Sequence, residues 1–124
     1  MENPRVYGEG PYKLALVHGG PGAAGELGPL AADLSNGLGV IEPLQTAPTL
    51  REQVKELADL ISESGDPPIV VLGWSWGAWL GYILASVHPD LISKLILVGS
   101  APFEDNYAQY ITDTRISRLE GGEI

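Results

Sequence analysis

The stretch Ile69–Gly77 runs Ile-Val-Val-Leu-Gly-Trp-Ser-Trp-Gly, an apolar segment that leads directly into a tight glycine–serine turn. Its second half, Gly73-Trp74-Ser75-Trp76-Gly77, matches the pattern G-x-S-x-G, in which a strand turns sharply into a helix. The serine at the apex of such a turn is held at a positive φ angle. Bulk two residues to either side would clash across the turn, which explains the glycines at 73 and 77. Ser75 is therefore the predicted nucleophile.

The flanking residues predict an alternation of strands and helices. Short apolar runs predict buried strands, and apolar residues at helical spacing predict amphipathic helices, the second opened by a Thr49–Glu52 capping box. The predicted strands cover residues 13–18, 39–43, 69–73 and 94–99, and the predicted helices cover 26–34, 49–64 and 76–88. This alternation indicates an α/β protein with a parallel sheet of about four strands and flanking helices. The strand order 39–43, 13–18, 69–74, 94–99 is predicted by the rule that crossovers are right-handed, together with the topology of the family that the sequence resembles.

A glycine-rich loop, His18-Gly19-Gly20-Pro21-Gly22, follows the first predicted strand. Such a loop lets backbone N–H groups converge on one point, as acyl transfer requires for the oxyanion of its tetrahedral intermediate. We assign one oxyanion donor to the N–H of Trp76 and the other to Gly20, with Gly19 as the alternative, because Pro21 has no N–H. His18 is expected to support the loop through hydrogen bonds rather than to act as a base.

Composition narrows the class of protein. The chain has 124 residues, enough for one domain, and no cysteine, which excludes disulfides and zinc–thiolate sites. A net charge of −9 disfavours nucleic acid and anionic membranes as partners. No apolar run approaches the roughly 18 residues of a membrane span, and the polar first ten residues favour a cytoplasmic protein. Nothing in the sequence indicates a metal or an organic cofactor.

The loop His18-Gly19-Gly20-Pro21-Gly22 followed by Gly73-Trp74-Ser75-Trp76-Gly77 resembles the proline iminopeptidase-like branch of the α/β-hydrolase superfamily. The resemblance covers residues 5–105. It implies the N-terminal half of an α/β-hydrolase fold, with a core at 1–102 and the start of a lid segment at 103–124. It also implies serine hydrolysis of a small ester or amide, N-terminal proline peptides included, by a triad in the order Ser, then Asp or Glu, then His.

The chain departs from that pattern in its triad. Only His88 follows Ser75, at the far end of the predicted helix and roughly 20 Å away at 1.5 Å per residue. Glu104, Asp105 and Asp113 are expected at the solvated surface. The family's sheet continues beyond the strand at 94–99, which here becomes an apolar edge. We therefore expect a truncated or split chain that pairs with itself or with a complementary C-terminal half.

Three functional hypotheses follow. The first is a serine hydrolase in truncated or split form, and the second is a non-catalytic remnant of the same fold that binds a small acyl or peptide ligand. The third is an unrelated α/β binding domain, such as a flavodoxin-like module, which the two motifs in their correct order and context disfavour. Trp74 or Trp76 beside the serine is a candidate wall of an apolar pocket, although packing against the sheet explains such residues equally well.

Overall fold

The computed structural model of the chain describes residues 2–20, 23–100, 110, 112–114 and 116–118. Its sheet has five strands in the order β1-β3-β2-β4-β5. The strands are β1 (Arg5–Tyr7), β2 (Tyr12–Val17), β3 (Gly39–Glu42), β4 (Ile69–Trp74) and β5 (Ile92–Val98). The helices are α1 (Gly28–Leu34), α2 (Leu50–Ser64) and α3 (Trp76–Val87), with a 3-10 turn at Pro89–Leu91. β1 pairs antiparallel with β3, and the other neighbouring strands pair parallel.

The predicted class and the predicted order of the four parallel strands are confirmed, with one correction. The sheet has a fifth strand, β1, which the sequence prediction missed. β1 is three residues long and is defined by its register with β3, in which Arg5 faces Glu42 and Tyr7 faces Val40. So short a segment shows no usable alternation, and only its distant partner makes it a strand. The first helix begins at Gly28 rather than at residue 26.

The two faces of the sheet are covered unequally. Helices α2 and α3 pack on one face over a core that includes Val17, Ile41 and Val71. On the other face α1 contributes the buried Ala31 and covers β2 and β3, where Leu16 and Val40 are buried. The successive residues of a strand point to opposite faces, so β2 and β3 are buried on both sides, as central parallel strands usually are.

Helix α2 begins as the sequence predicts. The Thr49 side chain accepts a hydrogen bond from the Glu52 N–H at 3.2 Å, which satisfies one of the free donors at the helix N-terminus. At the other end the Gly65 N–H donates to the Ile61 carbonyl at 2.9 Å. The helix therefore has defined ends and presents a continuous apolar face, Val54, Leu57, Ala58 and Ile61, to the sheet.

Strand β5 forms the edge of the sheet beside β4. Ile96 and Leu97 point to opposite faces, and 37% and 38% of their surfaces are exposed. Among the residues described after β5, Tyr110, 112–114 and 116–118 are helical, and Tyr110 is 71% exposed. The predicted boundary between residues 102 and 103 lies outside the described residues. No helix in the described part of the chain is long and apolar enough to cross a membrane.

Two glycines allow β4 and α3 to meet. A Cβ on Gly77 would collide with the main-chain carbonyls of Val17 and His18, at the end of β2. A Cβ on Gly73 would collide with the backbone of Gly77 and Ala78. The predicted need for small residues at both positions is met, but for Gly77 the obstacle is the neighbouring strand rather than the turn itself.

Replacing Gly77 with alanine should destabilise the fold, because backbone atoms cannot move aside as a flexible side chain can. We expect a loss of about 3 kcal/mol in the free energy of unfolding, measured by urea titration. Gly10→Ala is the matched control, since the nearest atom to a Cβ there would be a Tyr12 ring carbon at 3.5 Å, an ordinary van der Waals contact. Equal stability of the two variants would contradict the close approach of α3 to β2.

Candidate functional site

Ser75 lies between the last residue of β4 and the first residue of α3. Its backbone has φ 55° and ψ −115°, and it is the only non-glycine residue with a positive φ among the residues described. Its N–H donates to the Val98 carbonyl at 2.9 Å, and its own carbonyl accepts from the Ala78 N–H at 3.0 Å. Such a conformation costs about 1–3 kcal/mol and persists only where surrounding contacts hold it. These two hydrogen bonds and the adjacent glycines supply that restraint.

The loop after β2 packs against this turn. A Cβ on Gly19 would lie 3.4 Å from Ser75 Cβ and 3.1 Å from Trp74 Cδ1, and a Cβ on Gly20 would lie 3.8 Å from Trp76 Cβ. The two motifs that are distant in sequence therefore form one site at the carboxyl ends of β2 and β4. Of the loop residues named from the sequence, Pro21 and Gly22 lie outside the described residues.

The two candidate amide donors of the loop differ in their partners. The Gly19 N–H donates to Glu26 Oε1 at 2.7 Å. No acceptor among the described residues takes the Gly20 N–H. The Trp76 N–H opens α3 and has no partner within the helix. The Gly19 N–H is thus engaged by a side chain, whereas the N–H groups of Gly20 and Trp76 have no acceptor among the described residues.

His18 is almost fully buried, with 2% of its surface exposed, and both ring nitrogens have partners. The Gln45 backbone N–H, which can only donate, lies 3.0 Å from His18 Nε2. Nε2 is therefore the acceptor nitrogen, and Nδ1 carries the proton and donates to the Gly19 carbonyl at 2.8 Å. The ring has no free lone pair for Ser75.

Residues between β3 and the middle of α2 connect both parts of the site. The Gln45 side chain donates to the His18 carbonyl at 2.7 Å, at the start of the glycine loop. Gln53 accepts from Trp76 Nε1 at 3.0 Å and donates to the Ala47 carbonyl, also at 3.0 Å. Sequence reasoning missed both glutamines, because their partners are mostly backbone atoms, which give no residue-type signal.

The three tryptophans near the turn have different environments. Trp74 is 41% exposed and lies beside Gly19 and Gly99, whereas Trp76 is half-buried and held by Gln53. Trp79 is also half-buried in α3. Only Trp74 therefore presents a large apolar surface next to Ser75, so it is the better of the two candidate pocket walls.

His88, the other histidine of the chain, lies far from Ser75. His88 follows the last turn of α3, where its N–H donates to the Leu84 carbonyl at 2.7 Å. Its side chain lines a cleft with Leu50, Val54 and Ile83, at the opposite end of α3 from Ser75. Of the carboxylates considered from the sequence, Asp113 is exposed, and residues 104 and 105 lie outside the described part.

Comparison with known proteins agrees with this architecture. The family model described as "alpha/beta hydrolase fold" matches residues 41–117, more than half of the chain, so the chain belongs to the α/β-hydrolase fold family. The lipase LipV of Mycobacterium tuberculosis (strain ATCC 25618 / H37Rv) is 38% identical over 53 residues, which are 43% of this chain and 20% of the lipase.

Solved structures show the same fold. The epoxide hydrolase CorEH is 25% identical with a TM-score of 0.68, over 78% of this chain and 38% of its own. A thioesterase domain from the curacin biosynthetic pathway is 24% identical with a TM-score of 0.68, over 94% of this chain and 48% of its own. The chain thus spans less than half the length of these relatives. The proline iminopeptidase-like branch is not shown by these matches.

The hydrogen bonds of His18 predict its tautomer. Long-range ¹H–¹⁵N NMR should show a single Nδ1–H form for His18, because Nε2 accepts from Gln45 and Nδ1 donates to Gly19. His88 is the internal control and should show exchange between its two tautomers. A His18 ring that is protonated on Nε2 would contradict the arrangement and return this residue to consideration as a base.

Proposed function

We propose that the chain carries the nucleophile and oxyanion half of a serine hydrolase that acts on small esters or amides. The observation that carries the proposal is the strained backbone of Ser75, φ 55°, at a strand–helix turn packed against a glycine loop. Strained non-glycine residues concentrate at functional sites. A simple strand–helix connection needs no such conformation, so its retention at a serine supports a chemical role.

In the proposed reaction Ser75 Oγ attacks the substrate carbonyl carbon and loses its proton to a base. The carbonyl oxygen becomes an oxyanion, which the free N–H groups of Gly20 and Trp76 stabilise, assisted by the N-terminal dipole of the 12-residue helix α3. Collapse expels the alcohol or amine with the proton from the base. Water then attacks the acyl–serine ester, and the acid product and free serine are released.

Neither histidine of the chain supplies a base to Ser75, and no carboxylate in the described part of the chain orients one there. The chain has two histidines, of which His18 has both ring nitrogens engaged and His88 lies at the other end of α3. We propose that polypeptide other than these residues supplies both groups. The loop His18–Gly22 and the turn at Ser75 also support the narrower proposal of a proline iminopeptidase-like hydrolase.

By itself the 124-residue chain should hydrolyse p-nitrophenyl acetate at background, because a serine hydroxyl is a weak nucleophile without an adjacent base. A fluorophosphonate probe should not label Ser75 stoichiometrically. Added imidazole should substitute for the missing histidine and raise the labelling rate, about tenfold or more, given the usual 10²–10⁴-fold contribution of a positioned base. Intact-mass spectrometry measures the labelled fraction over time.

Ser75→Ala is the control for adventitious labelling. N-methylimidazole, which is also a base, should accelerate labelling, whereas acetate at the same concentration should not. This comparison separates base catalysis from an effect of ionic strength. Imidazole that leaves the labelling of Ser75 unchanged would refute the nucleophile and favour a non-catalytic fold that only binds a ligand. Rapid labelling without imidazole would show that a base is already present.

The edge strand β5 supports a further proposal about partners. Its outer backbone edge has no partner among the described residues, and its apolar side chains Ile96 and Leu97 are more than one-third exposed. Unpaired edges of this kind pair readily with another chain. We propose that β5 pairs with a second copy of the chain or with the polypeptide that supplies the missing base.

Sedimentation velocity of the isolated chain should show an average mass that rises with concentration. Ile96→Lys should reduce this association, because a lysine on an edge strand opposes pairing with another strand. The matched control is Val6→Lys on the opposite edge strand β1, where Val6 is 44% exposed. A wild-type chain that stays monomeric at every concentration would contradict self-association, as would an equal effect of the two lysine variants.

A further inference from the structure

Glu26 is an exposed residue that lies next to the proposed nucleophile. It follows the glycine loop through two turns, in which the Ala23 N–H donates to the Gly20 carbonyl at 3.2 Å and the Glu26 N–H donates to the Ala23 carbonyl at 3.0 Å. These turns bring the chain back, so that Glu26 Oε1 accepts the Gly19 N–H at 2.7 Å. A charge-assisted hydrogen bond of this length is among the stronger ones in proteins.

We propose that Glu26 is a positioning residue of the site, one that holds the Gly19 amide and thereby leaves the Gly20 amide facing Ser75. This inference rests on the proposed function. Gly19 and Gly20 are adjacent and both are flexible glycines, so the loop has more than one way to present an N–H. The Glu26 carboxylate removes that freedom by binding one of the two donors.

The negative charge of the Glu26 carboxylate lies close enough to Ser75 to oppose the proposed reaction. A Cβ on Gly19 would lie 2.9 Å from Glu26 Oε1 and 3.4 Å from Ser75 Cβ, so both groups border the same side of the loop. A fixed negative charge there repels an oxyanion that develops nearby. The hydrogen-bond acceptor of Glu26 thus favours the reaction through geometry, whereas its charge opposes the reaction.

Two substitutions separate these effects. Glu26→Gln keeps a side-chain oxygen for the Gly19 N–H and removes the charge, so Ser75 should be labelled at the wild-type rate or up to about 30-fold faster. Glu26→Ala removes both the charge and the acceptor, so the loop should lose its fixed orientation and the labelling rate should fall about tenfold below that of Glu26→Gln. Labelling uses a neutral fluorophosphonate with imidazole present, and intact mass gives the rate.

A second measurement does not depend on chemistry at Ser75. Amide hydrogen exchange by NMR should show the Gly19 N–H protected in the wild type and in Glu26→Gln, and unprotected in Glu26→Ala. Glu63→Gln is the control for the change in net charge, since Glu63 is an exposed residue near the end of α2. Thermal unfolding of each variant checks that the fold is intact.

Labelling of Ser75 that is slower in Glu26→Ala than in Glu26→Gln supports the positioning role. Equal rates in Glu26→Gln and Glu26→Ala overturn it, and so does a slow Glu26→Gln whose Gly19 amide is still protected. If imidazole produces no labelling in any variant while the Gly19 amide behaves as expected, the hydrogen bond is supported and the proposed nucleophile is refuted.

Discussion

The site depends on the close approach of α3 to the end of β2. Gly77 lies so near the Val17 and His18 carbonyls that no side chain fits between them. This contact brings the first turn of α3, and therefore Trp76, against the glycine loop that follows His18. It also forces β4 to turn abruptly into the helix, which gives Ser75 its φ of 55°. The fold thus maintains a locally unfavourable serine conformation through packing that is itself part of the core.

Hydrogen bonds from the segment after β3 stabilise this arrangement on one side. Gln45 contacts His18 through both its backbone and its side chain, and Gln53 connects the Trp76 indole to the same segment. Each such bond contributes about 0.5–1.5 kcal/mol net, but leaving a buried partner unpaired costs more. The buried His18 ring therefore links the glycine loop to the neighbouring segment, and both of its nitrogens are engaged.

Ser75 lies near the less covered side of the sheet. β2 and β3 are enclosed on both faces, whereas the outer edge of β5 has no partner among residues 2–20 and 23–100, and its apolar side chains are half-exposed. Ser75 lies close to that open side, since its N–H binds the Val98 carbonyl at the end of β5. Any polypeptide that pairs with β5 therefore arrives next to the proposed nucleophile. The proposed external base and the edge of β5, which has no partner among the described residues, are thus spatially related, so the two proposals support each other.

The order of the parallel strands followed from the crossover rule and from the topology that the family resemblance implies. Local patterns in the sequence were enough for the capped start of α2 at Thr49 and the turn at Ser75. Each depends on residues that are close in sequence, where periodicity and glycine spacing express the backbone geometry directly. Tertiary structure alone decided three other features: the antiparallel strand Arg5–Tyr7, the hydrogen bond between the Gly19 amide and Glu26, and the contacts of Gln45 and Gln53. These arise from hydrogen bonds to backbone atoms or side chains that only the fold brings near, and a residue's identity does not reveal which distant partner it will meet.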